Sequence, residues 1–192
     1  TNFIEIDGVT RINLKLKSTE ETEINANGPV VKAEDFARLV EYFEENLQDG
    51  DVVFLAGNAG NGMDYSAYTT IAKLCDEKGV KLVLDTTKDL LTKCLPYHPF
   101  IIKPNHHELG EIFGVTIETE EQIVDYAKKL QEMGARNVLI SRGGNGAMLI
   151  TETGEVYTSN VPKGTLVNSV GAGDSMLSGF MAKFIETKDY AA

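Results

Sequence analysis

The chain has 192 residues, of which 42% are hydrophobic and 24% are charged, as is typical of a globular protein that buries one sizeable core. Its formal net charge is -11 and its basic residues are scattered, which argues against nucleic acid as a partner because phosphate backbones require clustered lysine and arginine. No apolar run is long enough to span a membrane and the first residues do not resemble a secretory signal, so we expect a cytoplasmic protein without a membrane partner.

The two cysteines, Cys75 and Cys94, show neither the spacing of metal ligands nor that of a disulfide framework. Free cysteines are among the most frequently buried residues in proteins. We therefore expect two reduced thiols with a structural role.

Residues 3–28 alternate apolar and polar side chains between turn signals, which is typical of half-exposed antiparallel strands. After Pro29 the apolar spacing becomes helical, with acidic residues early and Gly50 as a stop. This change of pattern predicts that residues 1–28 form part of a β-strand lid and that residues 29–192 form part of an α/β core.

Short apolar runs and helical patterns alternate through the rest of the chain. The sequence predicts strands over residues 51–57, 80–85 and 137–144, and a hairpin over residues 146–159. It predicts helices within residues 32–50, 65–79, 106–114, 120–134 and 171–188. This alternation indicates a mainly parallel sheet with helices on both faces. We expect a chain truncated at both ends, because it opens in strand-like sequence and stops just after a helix.

Residues 167–180, VNSVGAGDSMLSGF, carry the strongest functional pattern. Three small residues lead into a helix with a carboxylate at its start: Gly171, Ala172 and Gly173, followed by Asp174. The free amides of a helix start favour an anion such as phosphate. A carboxylate beside a transferred phosphoryl group can accept the proton of the acceptor hydroxyl. The same residues could instead form a tight turn with Asp174 as an ordinary N-cap.

A second candidate site follows the next apolar strand end, with Lys103, Asn105 and Glu108. Open α/β sheets bind ligands at the carboxyl ends of their strands, so these side chains would gather where a ligand is expected. Asn105 and Glu108 could organise magnesium through water, because this ion prefers oxygen ligands and keeps much of its hydration. The alternative is a loop followed by an acidic residue at a helix start.

Two glycine-rich loops are further candidates. Ser141, Gly143 and Gly146 follow a strand and would let nucleotide phosphates approach the backbone, although a hairpin turn explains the same pattern. Gly57 and Asn58 follow another strand and could offer backbone or amide donors to a sugar, or could belong to a loop without catalytic interest.

Two features of the predicted ribbon point to partners. Arg11 and Asn13 lie on one side by strand alternation and could both face a cleft, where the planar guanidinium suits a phosphate. Exposed arginines on strands are nevertheless common. A ribbon with alternating faces could also pair with a second copy, giving a homodimer through the lid, unless its charged residues guard the edge.

Three segments taken together resemble the PfkB carbohydrate kinases, a family with the ribokinase-like fold: residues 10–13 (TRIN), 103–108 (KPNHHE) and 167–175 (VNSVGAGDS). They occur in the order found in that family and span nearly the whole chain. The resemblance implies a ribokinase-like α/β fold with a small β lid. It also implies an enzyme that uses ATP and Mg2+ to phosphorylate a sugar or a sugar phosphate.

The resemblance gives each candidate residue a role. Asp174 would be the catalytic base, and the amides of the three residues before it would form an anion hole. Asn105 and Glu108 match the NxxE motif that holds magnesium in the family. The residues that would line ATP are Lys103, Asn105, Ser141, Gly143 and Gly146. The residues that would contact the substrate are Arg11, which would bind its phosphate, and Asn13, Gly57 and Asn58.

The likeness is strongest to the subgroup that phosphorylates fructose 1-phosphate at its 6-hydroxyl, giving fructose 1,6-bisphosphate. Tagatose 6-phosphate and fructose 6-phosphate are alternative acceptors, and a non-catalytic module that binds nucleotide or sugar phosphate is an alternative of another class. Residues 57–60 depart from the family pattern of Gly-Ser, an apolar residue and Pro, which affects the expected sugar contact at Asn58. The resemblance also implies that the family's first strand and part of its adenine pocket lie outside this chain, which would leave the isolated chain inactive.

Overall fold

The computed structural model, which describes residues 2–19, 21–165 and 169–191, contains a two-stranded ribbon and a six-stranded sheet. The ribbon pairs β1 (Asn13–Lys17) with β2 (Glu21–Asn25) in antiparallel register. The antiparallel strands predicted for this segment are therefore confirmed, whereas the domain boundary between residues 28 and 29 stays a prediction.

The strands of the large sheet lie side by side in chain order. They are β3 (Val52–Ala56), β4 (Lys81–Asp85), β5 (Ile101–Ile102), β6 (Asn137–Ser141), β7 (Ala147–Ile150) and β8 (Val156–Ser159). The first four are parallel, and β7 and β8 follow β6 as antiparallel neighbours. The mainly parallel sheet and the hairpin are both as predicted. Their carboxyl ends bring several loops to one edge.

The helices in the described part of the chain cross between strands or follow the hairpin. They are α1 (Ala33–Asn46), α2 (Tyr65–Glu77), α3 (Lys88–Cys94), α4 (His106–Phe113), α5 (Glu120–Glu132) and α6 (Ala172–Thr187). Five of these are the predicted helices. Helix α3 was not predicted, because its seven residues are too few to display a helical period although Leu91 and Cys94 are fully buried.

The core has two layers because successive residues of a strand face opposite sides of the sheet. Leu82 and Leu84 of β4 pack in a large cluster with residues of α2, α3, α4 and α5, while α1 packs against its margin. Val83 of the same strand packs on the other face with Leu177 and Met181 of α6. Helices therefore cover both faces, as predicted.

The carboxyl end of α6 is anchored by a ring cluster and an ion pair. Phe184 contacts Phe100 and Tyr190, with ring centroids 5.0 and 4.8 Å apart. The Tyr190 hydroxyl donates to Glu152 at 2.8 Å, and Arg136 binds the same carboxylate at 2.6 and 3.0 Å. Burial raises the pKa of Tyr190 to about 12, so this hydroxyl remains a donor at neutral pH. The anchor holds α6 in place, with its first turn at the carboxyl edge of the sheet.

Both cysteines are free and fully buried, which confirms that they are reduced structural thiols. Burial raises the pKa of Cys75 to about 11 and that of Cys94 to about 12, so neither is a reactive thiolate at neutral pH. Among the described residues, no helix combines the length and apolar character needed to cross a membrane.

Candidate active site at the carboxyl edge of the sheet

The loop after β5 is joined by backbone hydrogen bonds to the carboxyl ends of β4 and β6. The Lys103 amide donates to the carbonyl of Leu84 at 3.2 Å, and the Ser141 amide donates to the carbonyl of Pro104 at 3.2 Å. Asn105 and Ser141 also form an isolated parallel bridge. Lys103 and Asn105, in the loop after β5, therefore lie beside Ser141 at the end of β6, although Ser141 is more than 30 residues further along the chain.

At this edge a lysine lies between a carboxylate at the end of β4 and the first turn of α6. The Lys103 ammonium lies 3.1 Å from a carboxylate oxygen of Asp85, and these side chains are only 11% and 18% exposed. A Cβ atom placed on Gly173 would lie 3.0 Å from the same ammonium nitrogen, so Lys103 also reaches the first turn of α6. The structure thus brings Lys103 beside the segment that carries Asp174.

Asp85 is a further candidate site residue, and the sequence pattern did not predict it. Burial raises the pKa of its carboxyl, the Lys103 ammonium opposes this shift, and the negative charge of Asp174 reinforces it. The charges of Asp85 and Asp174 therefore interact in partly desolvated surroundings, and the Lys103 ammonium lies beside Asp85. Perturbed acids of this kind are concentrated at functional sites.

The start of α6 excludes the N-cap interpretation of Asp174, while its role as a catalytic base stays a prediction. Gly171 is the N-cap, with φ of 78°, and makes no side-chain capping bond. Asp174 is the third residue of the helix, in its first turn, and is exposed. Asp174 is therefore not an ordinary N-cap, which leaves its carboxylate available to a ligand. Of the predicted anion-hole amides, that of Ala172 donates to the Ser169 carbonyl at 3.1 Å. Val167 and Asn168 of the motif lie outside the described residues.

Asn105 and Glu108 form a capping box at the start of α4. The Asn105 side-chain oxygen accepts from the amides of His107 and Glu108 at 2.9 Å each, and a Glu108 oxygen accepts from the Asn105 amide at 2.7 Å. The alternative interpretation, an acidic residue at a helix start, is therefore realised in this structure. It leaves one Glu108 carboxylate oxygen without a described hydrogen bond, so a role in a water-mediated magnesium site stays a prediction.

The donor types at this edge fit magnesium better than they fit a softer metal. In residues 2–19, 21–165 and 169–191, no three or more His, Cys, Asp or Glu side chains cluster as a direct metal cage. Asp85, Glu108 and Asp174 instead supply separate carboxylate oxygens around one edge. Mg2+ commonly takes one or two carboxylates together with water and substrate phosphates, and this arrangement is compatible with that habit.

The glycine-rich turn after β6 has a tightly constrained shape. Gly143 and Gly146 have φ of 56° and 81°, a region that favours glycine. The Arg142 amide donates to the Gly146 carbonyl at 2.8 Å, which closes the turn. A Cβ atom on Gly146 would overlap the carbonyl of Ser159 in β8. The hairpin interpretation is thus correct in part, since β6 and β7 are antiparallel, while the predicted role in binding phosphate remains a prediction.

The loop after β3 is held to both β4 and the lid. The Gly57 amide donates to the Asp85 carbonyl at 2.9 Å, and the Gly57 carbonyl accepts from the Thr86 hydroxyl at 2.7 Å. Both backbone groups of Gly57 are thus used inside the protein, whereas Asn58 is exposed. A predicted sugar contact therefore falls to Asn58 rather than to the backbone of Gly57.

Gly60, one residue of the departure from the family pattern, has a structural reason, and so does the nearby Gly62. A Cβ atom on Gly60 or Gly62 would come within 2.8 or 2.9 Å of the side chains of Val31 and Val30, respectively. The Asn61 carbonyl accepts from the Val31 amide at 2.8 Å. Glycines are therefore favoured at positions 60 and 62, where residues 30 and 31 pack closely against this loop.

Arg11 and Asn13 lie together on the polar side of the ribbon, with the Arg11 Nε donating to the Asn13 side-chain oxygen at 2.8 Å. Both side chains are exposed. No contact among the described residues joins either of them to Lys103 or Asp174, so their role towards the substrate stays a prediction.

Known proteins with similar sequences are carbohydrate kinases. The chain is 50% identical over 182 residues to 1-phosphofructokinase of Bacillus subtilis, covering 95% of this chain and 59% of that protein. It is 34% identical over 184 residues to D-tagatose-1-phosphate kinase of Bacillus licheniformis, covering 95% of this chain and 60% of that protein. The chain thus spans about three fifths of the length of these relatives.

The fold agrees with that of a solved relative. A crystal structure of a proposed phosphofructokinase from Staphylococcus aureus superimposes with a TM-score of 0.85 and 39% identity, covering 98% of this chain and 61% of the other. This likeness confirms the predicted ribokinase-like architecture. The sequence pattern of the pfkB family of carbohydrate kinases matches residues 1–192. The chain belongs to the pfkB family.

Proposed function

We propose that this chain contains the ATP-phosphate-binding residues and the catalytic base of a kinase. The kinase would use ATP to convert fructose 1-phosphate to fructose 1,6-bisphosphate. The observation that carries the proposal is the position of Lys103, whose ammonium lies between Asp85 and the first turn of α6 that bears Asp174. A lysine and the amides of a helix start can bind a phosphoryl group. An exposed carboxylate that does not cap the helix can accept the proton of an attacking hydroxyl. The 50% identity to a 1-phosphofructokinase supports this acceptor.

In the proposed reaction, Asp174 accepts the proton of the sugar 6-hydroxyl while that oxygen forms a bond to the γ-phosphorus of ATP. The bond between this phosphorus and the bridging oxygen breaks, and ADP leaves with the electron pair. Lys103 and the amides of Gly171 and Gly173 stabilise the charge on the transferred group, whereas the Ala172 amide already donates to the Ser169 carbonyl. Ser141, Gly143 and Gly146 hold the remaining phosphates, and Arg11 binds the phosphate at position 1 of the sugar.

We propose Mg2+ as the metal, held through water by Glu108 and Asp85 and by the nucleotide itself. When bound, the ion would neutralise phosphate charge during transfer. The Asn105 side chain would act indirectly, because its oxygen already accepts two amide hydrogens and fixes the Glu108 backbone. We place this activity in the cytoplasm, where ATP and phosphorylated sugars are available.

Tagatose 1-phosphate is the second acceptor that an observation favours. The 34% identical relative from Bacillus licheniformis is a D-tagatose-1-phosphate kinase. Tagatose differs from fructose only in the configuration at carbon 4, so both 1-phosphates present the same groups to Arg11 and Asp174. This observation ranks a 1-phosphate above tagatose 6-phosphate and fructose 6-phosphate. A purely binding role is disfavoured by the exposed Asp174.

A phosphorylation assay of the full-length protein tests the proposal. With ATP and Mg2+, we expect the highest kcat/KM with fructose 1-phosphate, a lower value with tagatose 1-phosphate, and values at least about tenfold lower with the two 6-phosphates and with free sugars. A preference for a 6-phosphate would overturn the acceptor assignment. Absence of transfer to every acceptor, with ATP binding retained, would establish the non-catalytic module instead.

We further propose a homodimer through the lid. One face of the ribbon carries four exposed apolar side chains, which are 48–69% accessible: Ile12, Leu14, Leu16 and Ile24. The opposite face is polar, with Lys15 paired to Glu23. A two-stranded ribbon is marginally stable by itself, and an exposed apolar face of this kind indicates a contact surface. The same face on a second copy would supply a self-complementary cover.

Introducing two negative charges on the apolar face of the ribbon should dissociate the dimer. Leu14 and Ile24 are cross-strand partners, so replacing both by Glu in the full-length protein places like charges in the proposed interface. We expect the dissociation constant to rise by about 100-fold or more in sedimentation equilibrium, the scale of losing central apolar contacts. Asn25→Asp adds charge to the polar face and should leave the dimer intact. A monomeric wild type, or a double variant that dimerises normally, would exclude this interface.

A further inference from the structure

The side chain of Arg142 is almost completely buried although it follows the last residue of β6 in a surface turn. It is 10% exposed, and its guanidinium connects two elements. Nη1 binds Glu120 at the start of α5, and Nη2 donates to the Asn145 carbonyl at 2.7 Å. The guanidinium therefore links the first turn of α5 to the far side of the glycine-rich turn.

The backbone of Arg142 closes the same turn. Its amide donates to the Gly146 carbonyl at 2.8 Å, and its carbonyl accepts from the Asn145 amide at 3.1 Å. Gly143 and Gly144 begin this turn, where opening amides have no carbonyl partner within the turn. Those amides are the groups that a phosphate could use.

The turn needs an external constraint because of its composition. Three of the four residues from 143 to 146 are glycine, the residue that loses most conformational freedom on ordering. No Cβ on Gly143 or Gly144 would meet another atom within 4 Å, so surrounding packing does not restrict these two residues. The side chain of Arg142 supplies a constraint from outside the turn.

The ion pair by itself explains little of the burial. Glu120 is 63% exposed, and ion pairs that reach solvent contribute only about 0–1 kcal/mol to folding. Burying a guanidinium is costly unless its donors are used, and its Nε has no partner among the described residues. Such a costly arrangement is consistent with a function beyond stability.

We propose that Arg142 is a positioning residue for nucleotide binding, acting through the shape of the 143–146 turn. Glu120 and the Asn145 carbonyl fix its guanidinium from two directions, and the guanidinium in turn fixes where the Gly143 and Gly144 amides lie. This proposal rests on the proposed function, since it assumes that ATP phosphates bind at this turn. It makes Glu120, a residue of a different element, part of the support of the nucleotide site.

The test replaces Arg142 by Lys in the full-length protein and measures nucleotide affinity by calorimetry with a non-hydrolysable ATP analogue. A lysine keeps the positive charge and can pair with Glu120. It lacks the planar guanidinium whose two nitrogens bind Glu120 and the Asn145 carbonyl at the same time. We expect the dissociation constant to rise by about tenfold, the size of one charge-assisted hydrogen bond. KM for the sugar phosphate should stay within about twofold, and amide exchange at residues 143–146 should accelerate.

A matched control is available on α1. Arg38 also binds a carboxylate and a backbone carbonyl, donating to Asp35 at 2.6 Å and to the Glu5 carbonyl at 2.8 Å. These contacts lie outside the proposed nucleotide site, so Arg38→Lys disturbs a comparable pair of contacts and should leave nucleotide affinity unchanged.

A double variant separates the two contacts of the guanidinium. Exchanging Arg142 and Glu120 restores the ion pair but not the donor to Asn145, so this double variant should bind the analogue as weakly as Arg142→Lys.

The outcomes separate this proposal from the kinase assignment. Wild-type protein that fails to bind the analogue would overturn the nucleotide site as a whole. If the wild type binds and Arg142→Lys binds equally well, the positioning role is wrong although the kinase assignment stands. An equal loss of nucleotide affinity in Arg38→Lys would also count against positioning by Arg142. So would a loss of affinity in Arg142→Lys without faster amide exchange at residues 143–146.

Discussion

Replacing Asp174 by Asn in the full-length protein is expected to lower kcat for fructose 1-phosphate by about two orders of magnitude or more, the scale of losing a general base. The affinity for an ATP analogue should change little. Asn has the same shape but cannot accept the hydroxyl proton. Because the capping position is occupied by Gly171, which uses no side-chain bond, the change should not destabilise α6 through loss of a cap. Steady-state kinetics and calorimetry measure the two quantities.

The same substitution has an electrostatic consequence at Asp85. The Asp174 charge contributes to the raised pKa of Asp85, so neutralising it should lower that pKa. Carbon-detected NMR of the Asp85 carboxyl during a pH titration would follow this change. It links the two carboxylates independently of any turnover measurement.

A matched control uses an exposed acid on another helix. Asp125 lies on α5 and is exposed, so Asp125→Asn removes one negative charge without touching the carboxyl edge. We expect normal turnover in this control. Turnover within about threefold of wild type in Asp174→Asn would rule out a general base at this position, since even modest bases contribute more.

Local signals in the sequence were sufficient for most of the fold. In α5, Ile123, Ala127 and Leu130 recur at helical spacing and are all buried, so periodicity alone identified the helix. The capping residue Thr119 accepts from the Gln122 amide at 3.2 Å, as its position before the helix predicts. A signal of this kind was absent from α3, which is short and was missed.

Side-chain partners across the sheet were less accessible from the sequence. Asp85 ends a strand just as Lys103 follows one, and the rule that located Lys103 at the ligand edge applies equally to Asp85. Their ion pair, however, forms only because β4 and β5 are neighbours in the sheet, and the local sequence of either strand does not reveal this order. The packing of Val30 and Val31 against Gly60 and Gly62 likewise depends on the tertiary structure. In the sequence, Gly60 is visible only as a difference from the family pattern.

Replacing Gly146 by Ala is expected to lower the free energy of unfolding by about 2–4 kcal/mol, which is large for a single substitution. Gly146 has φ of 81° and ψ of -139°, a conformation that residues with a Cβ atom rarely adopt. The added Cβ would overlap the Ser159 carbonyl, so β8 would have to move away from β7. Chemical denaturation of the full-length protein, followed by circular dichroism, measures the loss.

Gly144→Ala is the matched control for this prediction, because a Cβ at Gly144 would meet no atom within 4 Å. Its free energy of unfolding should stay the same or rise by up to about 1 kcal/mol through a less flexible unfolded chain. Equal stability of the two variants would mean that the turn relaxes without cost, and the close approach to Ser159 would then not constrain the hairpin. A selective loss at Gly146 would instead show that the close approach of this turn to Ser159 constrains the β7–β8 hairpin, so that packing outside the turn restricts the backbone proposed to bind phosphate.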